Sequence, residues 1–219
     1  YKRQVTIQGF KLLADVGLTG DKDLIKLRAN GTSSGPIVIK DNIFQGDGIT
    51  RYLGIETAYD AGYVKVENNE FDDLAYGAWF NVLTNGEIKG NTITDAIYTG
   101  LALCTSDLDK IHDVDIVGNT ILRSTTYTDA ASHPEWAVWY SGMHIGSTVY
   151  NMNITDNIIA DGNYYAIVFH DRGTTNLSNV HINNNCIYGN PYGSLNEVAT
   201  SVTLDAENNW WGDPSGPSG

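Results

Sequence analysis

The sequence predicts an all-β solenoid, built from short coils of strand, turn and strand stacked into parallel sheets, with a column of asparagines at one bend. Three observations predict it. One short pattern recurs along most of the chain, its apolar residues alternate as in strands, and no helical periodicity separates the copies. The pattern is apolar, any, apolar, any, any, Asn, any, apolar. It stands at Ile37–Phe44, Val64–Phe71, Glu87–Ile93, Val114–Ile121, Met152–Ile159 and Val180–Ile187. A degenerate copy, Val202–Trp211, closes the chain, and another, Val5–Leu12, opens it with Phe10 at the Asn position.

The recurring residues Asn42, Asn69, Asn91, Asn119, Asn157 and Asn185 are 27, 22, 28, 38 and 28 residues apart. Repeats of this length cannot bury their own apolar face and must stack on one another. Stacked strands then lie ~4.8 Å apart. At a tight bend Asn tolerates a left-handed backbone. Its amide both donates and accepts, so Asn side chains one coil apart can bond in a ladder. A lone buried Asn would instead leave polar groups unsatisfied, at ~1–3 kcal/mol each.

On these repeats the chain resembles the right-handed parallel β-helix proteins, the pectate lyase-like superfamily of secreted carbohydrate-active and surface proteins. That resemblance implies a right-handed parallel β-helix of about eight coils. The closing stretch NNWWGDPSGP, Asn208–Pro217, is similar to a tail that follows such repeats in bacterial and archaeal surface proteins. Fold does not name an activity here, because the architecture hosts lyases, hydrolases, tailspikes and adhesins. The catalytic sets of polygalacturonases and the calcium and arginine motif of pectate lyases are not recognisable, although FDD, Phe71–Asp73, supplies one Asp-Asp pair.

One β-helix domain is expected over residues 1–219. The repeat begins almost at once, at Val5, without an initiator Met or a capping segment, which suggests a piece of a longer secreted or surface chain with further domains. A net charge of −13 argues against nucleic acid and against an unaided polyanion. No apolar run approaches a membrane span. Cys104 and Cys186 occupy different coil positions and read as free thiols. The chain lacks the Met and Cys clusters of metal-handling proteins.

A second strand follows each repeat, most opening on glycine: Gly54, Gly77, Gly100 and Gly142, with Ala166 in the last. Alternation turns Ile55 and Thr57, Ala78 and Phe80, Leu101 and Leu103, Met143 and Ile145, and Ile167 and Phe169 inward. The outward positions form two columns. One is Glu56, Trp79, Ala102, His144 and Val168; the other is Ala58, Asn81, Cys104, Gly146 and His170. Small residues in the middle with Trp79, Asn81, His144 and His170 at the borders suggest a groove, where a sugar ring can stack on Trp and bond to Asn or His. The longest connection, Arg123–Gly142, carries Trp136, Trp139 and Tyr140 and is expected to wall this groove, or else to pack its aromatics on the helix surface. The candidate substrate-binding residues are therefore Trp79, Asn81, Trp136, Trp139, Tyr140 and His144.

His170, Asp171 and Arg172 end a strand on the same face. A His beside a carboxylate can act as a base, and an Arg can neutralise a developing anion, which suits a lyase; an ion pair at a strand end is the alternative. Glu56 lies too many coils away to make a glycosidase pair with Asp171, since such carboxylates sit ~5–9.5 Å apart. Four residues past successive ladder positions come Asp73, Asp95, Arg123 and Asp161. These suggest a stacked salt bridge, or else a calcium site made by Asp72, Asp73 and Asp95, calcium being the one cofactor with a candidate place. His112 and His181 read as solvated strand or turn residues. Two functions stay open: a polysaccharide-associated protein, related to a glycoside hydrolase or polysaccharide lyase, or a non-catalytic structural or adhesive surface module.

Overall fold

The computed structural model describes residues 4–14, 22–28, 31, 35–57, 62–104, 111–124, 140–146, 148–170, 177–198 and 204–212. Among them 21 strands form three sheets of seven. The first sheet stacks β1 (Val5–Gln8), β4 (Ile37–Lys40), β7 (Val64–Glu67), β10 (Leu83–Lys89), β13 (Ile111–Val117), β16 (Val149–Thr155) and β19 (Leu177–Asn183). The second stacks β2 (Lys11–Leu13), β5 (Ile43–Gln45), β8 (Glu70–Asp72), β11 (Thr92–Thr94), β14 (Thr120–Leu122), β17 (Ile158–Ala160) and β20 (Cys186–Tyr188). The third stacks β3 (Lys22–Leu27), β6 (Tyr52–Thr57), β9 (Tyr76–Phe80), β12 (Thr99–Cys104), β15 (Ser141–Gly146), β18 (Tyr165–Phe169) and β21 (Tyr192–Asn196). Every pairing is parallel and joins equivalent strands of successive coils. This is a parallel β-helix of seven coils, with the start of another formed by bridges from His181 to Asp205 and from Cys186 to Trp210.

The inward residues stack like on like. Ile39, Val66, Ile88, Ile116, Ile154 and Ile182 form one buried column along the first sheet. Phe44 and Phe71 lie face to face, 4.6 Å between centroids, and Ile93, Ile121, Ile159 and Ile187 continue their column. Gly86 stands where other copies place an apolar residue. Leu83 fills that space, because a Cβ on Gly86 would come within 2.5 Å of its side chain. The glycines that open the third-sheet strands are there for close approach: a Cβ on Gly77 would lie 2.7 Å from the Gly100 carbonyl oxygen.

The asparagine ladder is present and longer than expected. Each Asn directs its backbone N–H and its Nδ2 to the Oδ1 of the next Asn, at 2.9–3.0 Å from Asn42 through Asn185. Each Nδ2 also donates to a strand carbonyl of the preceding coil, as Asn119 does to Ile88. Asn209 supplies a seventh asparagine, accepting from Asn185 at 2.9 Å. At the other end the Phe10 backbone N–H donates to Asn42, so the first rung needs no amide side chain.

One expectation about this bend is corrected. The left-handed residue is not the ladder Asn but the residue before it: Asp41, Asn68, Gly90, Gly118, Asp156, Asn184 and Asn208, with φ between 53° and 64°. The chain turns there so that the following Asn can aim inward, and Asp, Asn and Gly are the residues that take this conformation at least cost. A second left-handed position comes four residues past the ladder, at Asp73, Asp95, Arg123, Asp161 and Gly189.

Candidate functional site

The outward face of the third sheet is where side-chain chemistry varies from coil to coil. Its register aligns Lys26, Glu56, Trp79, Ala102, His144, Val168 and Leu195 in one column. Parallel pairing with no slip holds these residues over one another, which is why alternation in the sequence assigns them correctly.

The column has an open end and a closed middle. Trp79, Asn81 and Glu56 are partly exposed. Trp79 Nε1 donates to Asn81 Oδ1 at 3.1 Å, and Asn81 Nδ2 donates to the Thr57 carbonyl at 2.9 Å and to Glu56 Oε1 at 3.2 Å. Glu56 also pairs with the Lys26 ammonium, which bonds Asp23 at 3.0 Å. Burial pushes the Glu56 carboxyl above its ordinary value, with Lys26 acting in the opposite direction, and the same two carboxylates raise Lys26. The Trp79 ring meets the Tyr76 ring edge-on at 4.8 Å. The result is an indole held in a fixed pose, with amide and carboxylate oxygens beside it. Such an arrangement can stack a sugar ring and bond its hydroxyls.

The middle is shut. Ala102, His144 and Val168 have no exposed surface, and Cys104 has 1 %. The small-residue floor expected of a groove is therefore dry, and His144 lies beneath the surface. Its ring contacts His170 in a T-shaped arrangement at 5.3 Å. His170 is partly exposed just after β18, and its Nε2 is 3.8 Å from Glu197 Oε2. Tyr140 is buried and its ring is 6.0 Å from that of Tyr98. Trp136, Trp139, Asp171, Arg172 and Ala58 lie outside the described residues.

At the second bend Arg123 grips Asp95 through Nε and Nη2, at 2.8 and 2.7 Å. The pair is exposed enough that water competes, so its worth is ~1 kcal/mol or less. Asp72 accepts from Thr94 at 2.5 Å and from Gln45 at 3.1 Å. Burial, then the carboxylates of Asp72, Asp95 and Asp47, raise Asp73. Among the described residues no three His, Cys, Asp or Glu side chains converge as a metal cage. Cys104 and Cys186 are both free thiols.

Several features escape a sequence reading. Lys26 faces Glu56 from β3, a strand without the repeat pattern. A polar column on the first sheet links Asp113, Asn151, Asn179 and His181 through bonds of 2.8–2.9 Å, and His181 reaches Asp205 at 2.7 Å. His112 bonds Asp113 and stacks on Tyr150, so neither it nor His181 is merely solvated. An aromatic corner, described below, leads into the third sheet. A cavity of about 310 Å3 under the last coil is lined mainly by inward apolar groups, including Phe169, Ile182 and Trp211.

Residues 27–210 match the family described as right handed beta helix region. The chain belongs to the right-handed β-helix family. Among solved structures it is similar to the Dettilon tailspike protein (gp208), with a TM-score of 0.60 and 13 % identity over 91 % of this chain and 39 % of that one. It is also similar to an alginate lyase from Paenibacillus sp. str. FPU-7, with a TM-score of 0.53 and 14 % identity over 93 % and 97 % of the two chains. The chain thus spans well under half the length of the tailspike. No curated protein matches its sequence. At these identities the likeness extends to the fold alone. Among the described residues no helix is long and apolar enough to cross a membrane.

Proposed function

We propose that this β-helix associates with extracellular polysaccharide, binding a neutral glycan at the open end of the third sheet, as a secreted or cell-surface protein. The observation that carries the reading is the fixed, partly exposed Trp79 ring, tied to Asn81 and flanked by Glu56. An aromatic face beside amide and carboxylate oxygens suits a sugar, whose ring has apolar C–H faces and a polar rim. The net charge of −13 favours a neutral chain over a polyanion. Two fold neighbours, a tailspike and an alginate lyase, keep company with this reading. Trp136 and Trp139, which lie outside the described residues, are assigned to the same site in this reading, whereas Tyr140 and His144 are buried and do not touch the sugar.

A catalytic version assigns His170 as base, with Asp171 and Arg172 beside it, in a lyase; calcium, if used, falls to Asp72, Asp73 and Asp95. Incubation with polysaccharides, read by absorbance of an unsaturated product, tests it: His170→Ala abolishes the signal, and unchanged activity removes His170 from the role. A second reading, a structural or adhesive surface module, is favoured by the closed middle of the third sheet's outward face, where Ala102, His144 and Val168 are buried. Affinity electrophoresis through gels cast with a panel of glycans separates the two. The binding reading expects retardation by a neutral polysaccharide that weakens in Trp79→Ala and Trp139→Ala. Free migration of the wild type in every gel leaves the structural module.

A further inference from the structure

Each of five successive coils carries an aromatic residue at the corner that leads into, or on, the third sheet: Trp79 against Tyr76, then Tyr98, Tyr140, the Tyr164–Tyr165 pair, and Tyr192. The register places Tyr76, Thr99, Ser141, Tyr165 and Tyr192 in one row, and Tyr98, Tyr140 and Tyr164 each stand one residue before it. Ring contacts join them into two clusters. Tyr76 touches Trp79 at 4.8 Å and Tyr98 at 5.6 Å, and the Arg51 guanidinium lies 5.4 Å from the Tyr98 ring centre. Tyr164, Tyr165 and Tyr192 form a second cluster, with centroids 4.7–5.4 Å apart. Between them Tyr140 is buried. The outer cluster is open to solvent: Tyr192 is 50 % exposed, and Tyr164 and Tyr165 are partly exposed.

We infer that Tyr164, Tyr165 and Tyr192 form a distal subsite for the same neutral glycan chain, which lies along the solenoid axis from Trp79. This inference rests on the glycan reading above. Three features favour that occupant. The rings recur in step with the coil, and four coil steps span about 19 Å, enough for several sugar residues in line. The exposed rings are tyrosines, which offer an apolar face and a hydroxyl, the pairing that suits sugars. Burial, then Tyr164 and Tyr192 and last the Glu197 carboxylate, push the Tyr165 hydroxyl above its ordinary value, and that carboxylate disfavours an anionic chain at this end.

The test is calorimetric titration with neutral xylo-, manno- and cello-oligosaccharides of graded length, from dimers to octamers. The wild type is expected to bind the longest probes at least tenfold more tightly than the dimer. Tyr192→Ala and Tyr165→Ala weaken binding of the longest probes three- to tenfold and leave the dimer unchanged, while Tyr192→Phe retains wild-type affinity. Nitration of Tyr192 in the wild type gives a second readout that needs no variant, and bound octamer slows it. Loss of binding in Trp79→Ala with no effect of either tyrosine change, or no protection of Tyr192, overturns the distal subsite and leaves the glycan reading standing. No binding of any probe by the wild type overturns both.

Discussion

Two regions of this molecule use the same stacking geometry to opposite ends. At the first bend, seven asparagines sit over one another, the first six at 1–2 % exposure, and each satisfies the next. On the outward face of the third sheet the same register aligns Lys26, Glu56, Trp79, Ala102, His144 and Val168, no two alike. Uniformity marks a column whose partner is itself. Variety marks a column that is free to acquire a partner of another kind. The difference teaches that in a solenoid the repeat reports the fold, and departures from it are where function is to be sought.

The sharpest way to break this contrast is to remove one rung. Asn119→Ala strips partners from the Asn91 N–H and amide, the Ile88 carbonyl and Asn157 Oδ1. The expected cost is on the order of 3–5 kcal/mol, read as a lowered thermal midpoint, with glycan affinity per folded molecule unchanged. The converse change is Trp79→Ala, expected to weaken glycan binding about tenfold while stability falls by only about 1–2 kcal/mol. Equal effects of both changes on stability and binding would erase the distinction between the two columns.

Acid probes the end of the stack. Hydrogen bonds from His181, then Asn183, hold the Asp205 carboxyl below its ordinary value. A depressed carboxylate contributes its full stabilisation above the unfolded pKa and loses it as pH falls through the lower folded one. Below the usual carboxylate range the last half-coil should therefore loosen first. Hydrogen exchange checks this: the Ile182 and Ile187 amides, which donate to the backbone carbonyls of Asp205 and Trp210, should lose protection before the Asn119 amide does. Smallest of all is Asn151→Gly, in the exposed polar column of the first sheet, because glycine keeps the left-handed backbone there (φ 53°) without strain. Water replaces its bonds to Asp113 and Asn179, and the thermal midpoint should move by the equivalent of about 0.5 kcal/mol or less.

The fold was legible because its constraint is periodic. Asn209 was legible too: Leu204–Trp211 matches the repeat at every position, whereas a frame begun at Val202 looks degenerate. The residues preceding each ladder Asn are all Asp, Asn or Gly, a signal for the left-handed turn that attention to the Asn itself conceals. The outward column was assigned correctly, yet its closed middle was not foreseen. Alternation separates the two faces of a strand, but whether an outward face meets water depends on residues distant in sequence. The Lys26–Glu56 pair was hidden for a related reason, since β3 carries no copy of the repeat to fix its register.

The most direct measurement is a crystal soaked with mixed neutral oligosaccharides. Sugar stacked on the Trp79 ring and bonded to Asn81 or Glu56 is the predicted result. Sugar bound only elsewhere, with Trp79 bare at saturating concentrations, would contradict the proposed role of this face.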